Sequence, residues 1–72
     1  MKNELKNEFY SFIQNMNKKV FTREEIVTYL RRNFPLDRYS RIEACCNDSL
    51  KRLLDANCIR RINRGEYEII KL

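Results

Sequence analysis

Leu5, Phe9, Phe12, Ile13 and Met16 recur at the i, i+4, i+7, i+8, i+11 spacing that places apolar side chains on one face of a helix. The spacing predicts a helix over Asn3–Met16. Glu4 and Glu8 suit its positive end, and Asn15, Asn17, Lys18 and Lys19 close it. Val20 and Phe21 follow as a short β-prone pair. Thr22 with Glu25 three residues later has the form of a capping box, and it precedes a second apolar set, Ile26, Val27, Leu30 and Phe34. Phe21, directly before the cap, is placed to pack on Ile26 as a hydrophobic staple. Arg31 and Arg32 suit the negative end of this second helix, and Pro35 stops it by turning Phe34 out of helical geometry.

Leu36 to Tyr39 make a short connection. Ser40 with Glu43 has the letters of another capping box, so a third helix is expected to begin near Ser40, with Asp37 as the alternative cap. Ile42, Cys46, Ser49, Leu50, Leu53 and Leu54 form its buried face, and Asn57 can end it because asparagine tolerates a left-handed backbone. Two β-prone runs follow, Cys58–Ile62 and Glu66–Leu72. Asn63, Arg64 and Gly65 lie between them, and the one glycine supplies the positive φ of a hairpin turn. The expected architecture is therefore mainly α with a small β hairpin, in which Val20-Phe21 can add a third strand. The expected core is Leu5, Phe9, Phe12, Ile13, Met16, Ile26, Leu30, Phe34, Ile42, Cys46, Leu50, Leu53, Leu54, Ile59, Tyr67 and Ile69.

The length of 72 residues admits one domain, residues 1–72, with a small core. Fifteen Lys and Arg against ten Asp and Glu give a net charge of +5, which suits either a phosphate-bearing partner or a plain soluble surface. No apolar run reaches the roughly 18 residues that cross a bilayer, and the charged start MKNELKNEF does not read as an export signal. A cytoplasmic location, with Cys45, Cys46 and Cys58 as reduced thiols, is the expectation. No metal or other cofactor is expected: histidine is absent, and adjacent helical cysteines point about 100° apart rather than converging on a metal. The same absence removes the usual base of a nucleophilic triad, and a single glycine excludes a phosphate-cradling loop, so the chain is not expected to be an enzyme.

The Thr22-x-x-Glu25 helix start, the Leu50-x-x-Leu53-Leu54 helix end and the run from Cys58 through Arg60, Arg61, Arg64 and Gly65 to Tyr67 resemble a winged-helix domain, a helix-turn-helix variant. The resemblance covers nearly the whole chain. It implies three helices with a two- or three-stranded wing, the third helix toward the major groove of double-stranded DNA and the wing on its backbone. A small DNA-binding protein that regulates transcription, as a homodimer on a palindromic site, is then the leading expectation. Winged helices also serve as protein-interaction modules. The alternative is a phage- or plasmid-encoded inhibitor that docks on a larger host protein or nucleoprotein complex, such as a nuclease system.

Six residues are the candidate nucleic-acid contacts: Arg41, Asn47 and Lys51 on the third helix, and Arg60, Arg61 and Arg64 on the wing. On a helical wheel the outward strip of the third helix is Arg41, Ala44, Asp48, Lys51 and Asp55, with Arg52 at its edge, so its charges balance. Asp48 can accept a hydrogen bond from a cytosine amino group. Equally, Asp48–Arg52 and Lys51–Asp55 can be i, i+4 pairs on a solvated helix. The wing's three arginines, each able to hold a phosphate with two hydrogen bonds, have no acid among them. Against that, Glu66 and Glu68 stand opposite and can pair with them, and basic residues also guard exposed sheet edges. Tyr67 is expected in the core, whereas Tyr10, Tyr29 and Tyr39 fall at the rims of their apolar arcs.

Overall fold

A computed structural model describes residues 4–71 of the chain. Among them run α1 (Glu4–Gln14), β1 (Val20–Thr22), α2 (Arg23–Asn33), α3 (Tyr39–Asp55), β2 (Ile59–Asn63) and β3 (Glu66–Ile69). Asn3 and Leu72, the expected ends of the first helix and the last strand, lie outside the described residues; within them α1 stops at Gln14 rather than Met16, and β3 stops at Ile69, so Ile70 and Lys71 are not part of the strand. The strands form one antiparallel sheet in the order β1-β3-β2, so Val20-Phe21 does contribute a third strand. Three helices with a small three-stranded sheet are compatible with a winged-helix layout.

Local chemistry sets the joints. Thr22 has an extended backbone at the start of α2, and both halves of the capping box form. The Glu25 N–H donates to Thr22 Oγ1 at 3.1 Å, and the Thr22 N–H donates to Glu25 Oε1 at 2.8 Å. At the end of α3, Asn57 takes φ 60°. Its N–H donates to the Leu54 carbonyl at 3.1 Å, and the Cys58 N–H donates to that of Leu53 at 2.9 Å. That double closure is a Schellman motif, and it reverses the chain directly into β2. Gly65 takes φ 75° in the turn, as a residue without a Cβ can.

The start of α3 departs from expectation. The helix begins at Tyr39 with Arg38 as its N-cap, and no side chain closes that cap. Ser40 therefore sits inside the first turn, two residues past the cap position, and Glu43 reaches out to Arg23 instead, at 3.7 Å. The expected Ser40–Glu43 capping box does not form, nor does Asp37 cap the helix.

The core joins all three helices to the sheet. Phe9, Phe21, Ile26, Leu30 and Cys46 are fully buried, with Leu5, Ile13, Val27, Ile42, Leu50, Leu53, Ile59 and Tyr67 around them. Phe21 lies across from Tyr67 in the sheet and stacks on its ring, centroids 5.6 Å apart. Phe21 and Val27 thus join the core expected from periodicity. Phe12, Met16, Phe34, Leu54 and Ile69 pack against it only half-buried. In so small a domain the margins of each apolar arc have no second layer to cover them.

Candidate nucleic-acid interface

The β2–β3 hairpin occupies the place expected of the wing and is called the wing. Arg60 lies opposite Glu68 in the ladder and Arg61 opposite Tyr67, with an irregularity between Arg61 and Asn63. Alternation therefore sends Arg60 and Arg61 to opposite faces of the sheet. On Arg60's face, Glu68 takes the guanidinium: Arg60 Nε donates to Glu68 Oε1 at 2.5 Å. Glu66 is occupied differently, accepting from Asn63 Nδ2 at 2.9 Å. With both acids engaged, Arg61 and Arg64 are exposed and pair with no carboxylate among the described residues.

Arg23, at the first position of α2, ties the wing to α3. Its backbone N–H donates to the Gly65 carbonyl at 3.0 Å, which anchors the wing's turn to the helix start. Its side chain crosses to α3, where Nε donates to Asn47 Oδ1 at 3.0 Å and a terminal nitrogen lies 3.7 Å from Glu43. One residue thus brings the hairpin tip and the Glu43–Asn47 edge of α3 together. Arg23 is absent from the candidates found in the sequence, because its partners lie 24 residues away at Asn47 and further still at Gly65. No local signal marks such a bridge.

Of the six candidate residues, the structure gathers some and separates one. Asn47 is fixed by Arg23 at its carbonyl oxygen, so its amino group is what it offers to solvent. Lys51 is exposed and has no acidic partner among the described residues. The expected i, i+4 pairs Asp48–Arg52 and Lys51–Asp55 do not form, in keeping with the small gain of exposed ion pairs against side-chain entropy. Arg41 stands apart. It lies 3.7 Å from Asp37 in the first turn of α3, about 9 Å along the helix axis and about 120° round it from Asn47. Arg41 therefore faces the α2–α3 connection rather than the wing.

Beside the wing's anchor, Lys18 Nζ donates to Glu25 Oε2 at 2.6 Å. That bond, followed by the one from the Thr22 backbone, holds the Glu25 carboxyl below its ordinary 4.5. The thiols show the opposite influence. Burial pushes Cys46 up to about 11 and raises Cys45 as well, so both are protonated sulfurs filling space. Among the described residues no group of His, Cys, Asp or Glu converges as a metal site. Tyr29 donates to Glu8 at 2.9 Å, which raises its hydroxyl above the usual value, and its ring packs on Phe12. Tyr10 meets Phe9 edge-on. Tyr39 instead lies open, with the Arg31 guanidinium 5.0 Å above its ring.

Comparison with known proteins brings no match: no family model, no curated protein and no solved structure aligns with the chain. Among the described residues no helix is long and apolar enough to cross a membrane.

Proposed function

We propose that the chain is a winged-helix DNA-binding domain whose wing provides the main phosphate contacts. One observation carries the reading. The wing's acids are engaged by Arg60 and Asn63, which leaves Arg61 and Arg64 exposed and uncompensated on a hairpin whose turn is tied through Arg23 to Asn47 of α3. Two exposed guanidiniums on one hairpin, Arg61 in mid-strand and Arg64 in the turn, suit phosphate oxygens, which they bind bidentately. The outward strip of α3 mixes Lys51 with Asp48 and Asp55, so in this reading α3 adds orientation and base discrimination more than affinity. Asn47, its carbonyl oxygen already taken, offers amide protons to an acceptor on a base edge. A single domain of this size makes few contacts, and a two-fold pair on a palindrome supplies the rest. Such a protein would serve as a transcriptional regulator.

Binding to duplex DNA measured across a salt series tests the proposal. The native protein should bind near low salt with a steep dependence. Lys51, Arg61 and Arg64 changed together to Ala should flatten the log–log slope by about 0.9 for each phosphate that is no longer neutralised. An unchanged slope, or no binding by the native protein, rejects the reading.

A further inference from the structure

The end of α2 remote from the wing carries a second surface. Phe34, Pro35 and Leu36 turn the chain from α2 toward α3, and Leu36 is 99% exposed while Tyr39 is 48% exposed. Two grooves flank this turn and share Phe34, Pro35 and Asp37 as their common wall. One, of about 520 Å³, is lined by Leu5, Phe34 and Leu36; the other, of about 430 Å³, is bordered by Arg31, Arg32 and Tyr39. A single exposed leucine is ordinary on a protein surface, but an apolar ridge between two grooves is a feature that a partner can cover.

Charge decides the kind of partner. Arg31 and Arg32 border the smaller groove, Arg41 borders the larger, and Arg38, exposed, follows Asp37 as the N-cap of α3; among the four only Arg41 has a carboxylate partner among the described residues, Asp37. A second copy of the chain would bring the same arginines against one another across a two-fold axis. Nucleic acid would meet the arginines but leave Leu36 uncovered, and it would bring phosphates against Asp37 and Glu4 in the larger groove. A segment that is both acidic and apolar satisfies both halves of the surface. We propose that the α2–α3 turn docks an acidic amphipathic segment of another protein, which seats an apolar side chain beside Leu36 and lays carboxylates on Arg31, Arg32 and Arg38. This surface is independent of the wing, so the proposal stands whether or not the wing binds DNA.

Random peptides displayed against the whole protein provide the test, with Leu36→Ser and the pair Arg32→Glu, Arg38→Glu as comparison proteins. All three positions are exposed, and an unchanged melting temperature will confirm that the variants fold. The enriched peptides should combine Asp or Glu with Leu, Ile or Phe, and each variant should bind them about tenfold or more weakly. On titration with such a peptide, amide resonances should shift over residues 31–41 and stay fixed over residues 60–65. The proposal is overturned by a failure to enrich any sequence, by winners without acids or without apolar residues, by equal binding to the variants, or by shifts confined to the wing. It is overturned as well if sedimentation shows a dimer that Leu36→Ser dissociates, because the ridge would then be covered by a second copy.

Discussion

The two ends of α2 are built differently. At the wing end, Thr22 and Glu25 cap each other, Phe21 is fully buried against Tyr67, and the Arg23 backbone is bonded to the wing's turn. At the turn end, α3 starts on Arg38 without a side-chain cap, and Leu36 touches almost nothing. Besides local hydrogen bonds such as Asp37 N–H to the Phe34 carbonyl at 3.1 Å, the side-chain ties there include an ion pair at 3.7 Å between Asp37 and Arg41 and the Arg31 guanidinium over Tyr39. The same kinds of residue (an aromatic or aliphatic side chain, a hydroxyl, arginines) serve structure at one end and stay uncommitted at the other. A rigidly held end suits the presentation of fixed charges to a polyanion. An uncommitted apolar ridge suits a partner that supplies the missing contacts.

The sharpest break between the ends comes from two apolar residues. Phe21→Ala removes a fully buried ring that stacks on Tyr67 of β3 and should cost about 3–5 kcal/mol, enough to unfold much of so small a domain at room temperature. Leu36→Ser should stay within about 0.5 kcal/mol of the native protein, since its side chain is already in water. Urea melts of the two variants check both values, and comparable losses would erase the distinction.

If the proposed DNA binding holds, charge should separate the two ends. Arg61 and Arg64 changed to Ala should lower the salt slope of duplex binding by about 1.8, that is two phosphates at about 0.9 each. Arg31 and Arg32 changed to Ala remove the same charge from the other end and should alter the slope by less than about 0.9. Equal slopes for the two double variants would mean that overall charge, rather than the wing, drives binding.

A third contrast uses identical motif letters. Thr22→Ala deletes a side-chain cap that is present and should cost about 1 kcal/mol. Ser40→Ala deletes a hydroxyl that caps nothing and should change stability by less than about 0.5 kcal/mol. Thermal melts under one buffer will show whether the two differ as expected.

That pair also shows what a sequence can disclose. Thr22-x-x-Glu25 and Ser40-x-x-Glu43 are equivalent as capping-box strings. In the first, Phe21 at the preceding position is fully buried and Glu25 bonds the cap, whereas in the second Glu43 lies instead by Arg23, a contact between residues 23 and 43. Features closed within a few residues were legible: Asn57 and Gly65 take the positive φ expected of them, and the three helices follow their apolar periods. Phe21 stayed out of the expected core because one apolar residue between Val20 and Thr22 has no period to betray its depth. The wing's arginines were visible as a group. Which of them is free depends on strand register, which pairs Arg60 with Glu68 and leaves Arg61 and Arg64 unpaired. Arg23 was invisible for the same reason at longer range. Arg41 and Asn47 share a helix, and six residues of helical period already set them about 120° apart; what the structure adds is that Asn47 is held by Arg23 while Arg41 pairs with Asp37.

The smallest expected effect tests the wing end by pH. Glu25 lies below its ordinary 4.5 in the folded chain because Lys18 and the Thr22 backbone both favour its charged form. A carboxyl depressed by folding adds stability above its unfolded value and loses it as pH falls through the lower folded value. The native protein should therefore lose this contribution on acidification below about 4.5, and the loss should be complete only below the folded value. Glu25→Gln keeps the form of the capping box, since glutamine can also accept from the cap's N–H, but it cannot titrate or pair with Lys18. The difference in stability between native and variant should be present at neutral pH and vanish in strong acid. Its size should be below about 1 kcal/mol, because Glu25 is 38% exposed and Lys18 57% exposed, where solvent screens the pair. The turn end offers a control: Asp37→Asn breaks only a 3.7 Å pair with Arg41, with no capping bond behind it. A pH-independent difference between native and Glu25→Gln would show that the Lys18–Glu25 bond does not hold in solution. The wing end would then owe its rigidity to Phe21, the capping box and the Arg23 bonds to Gly65 and Asn47, without help from Lys18.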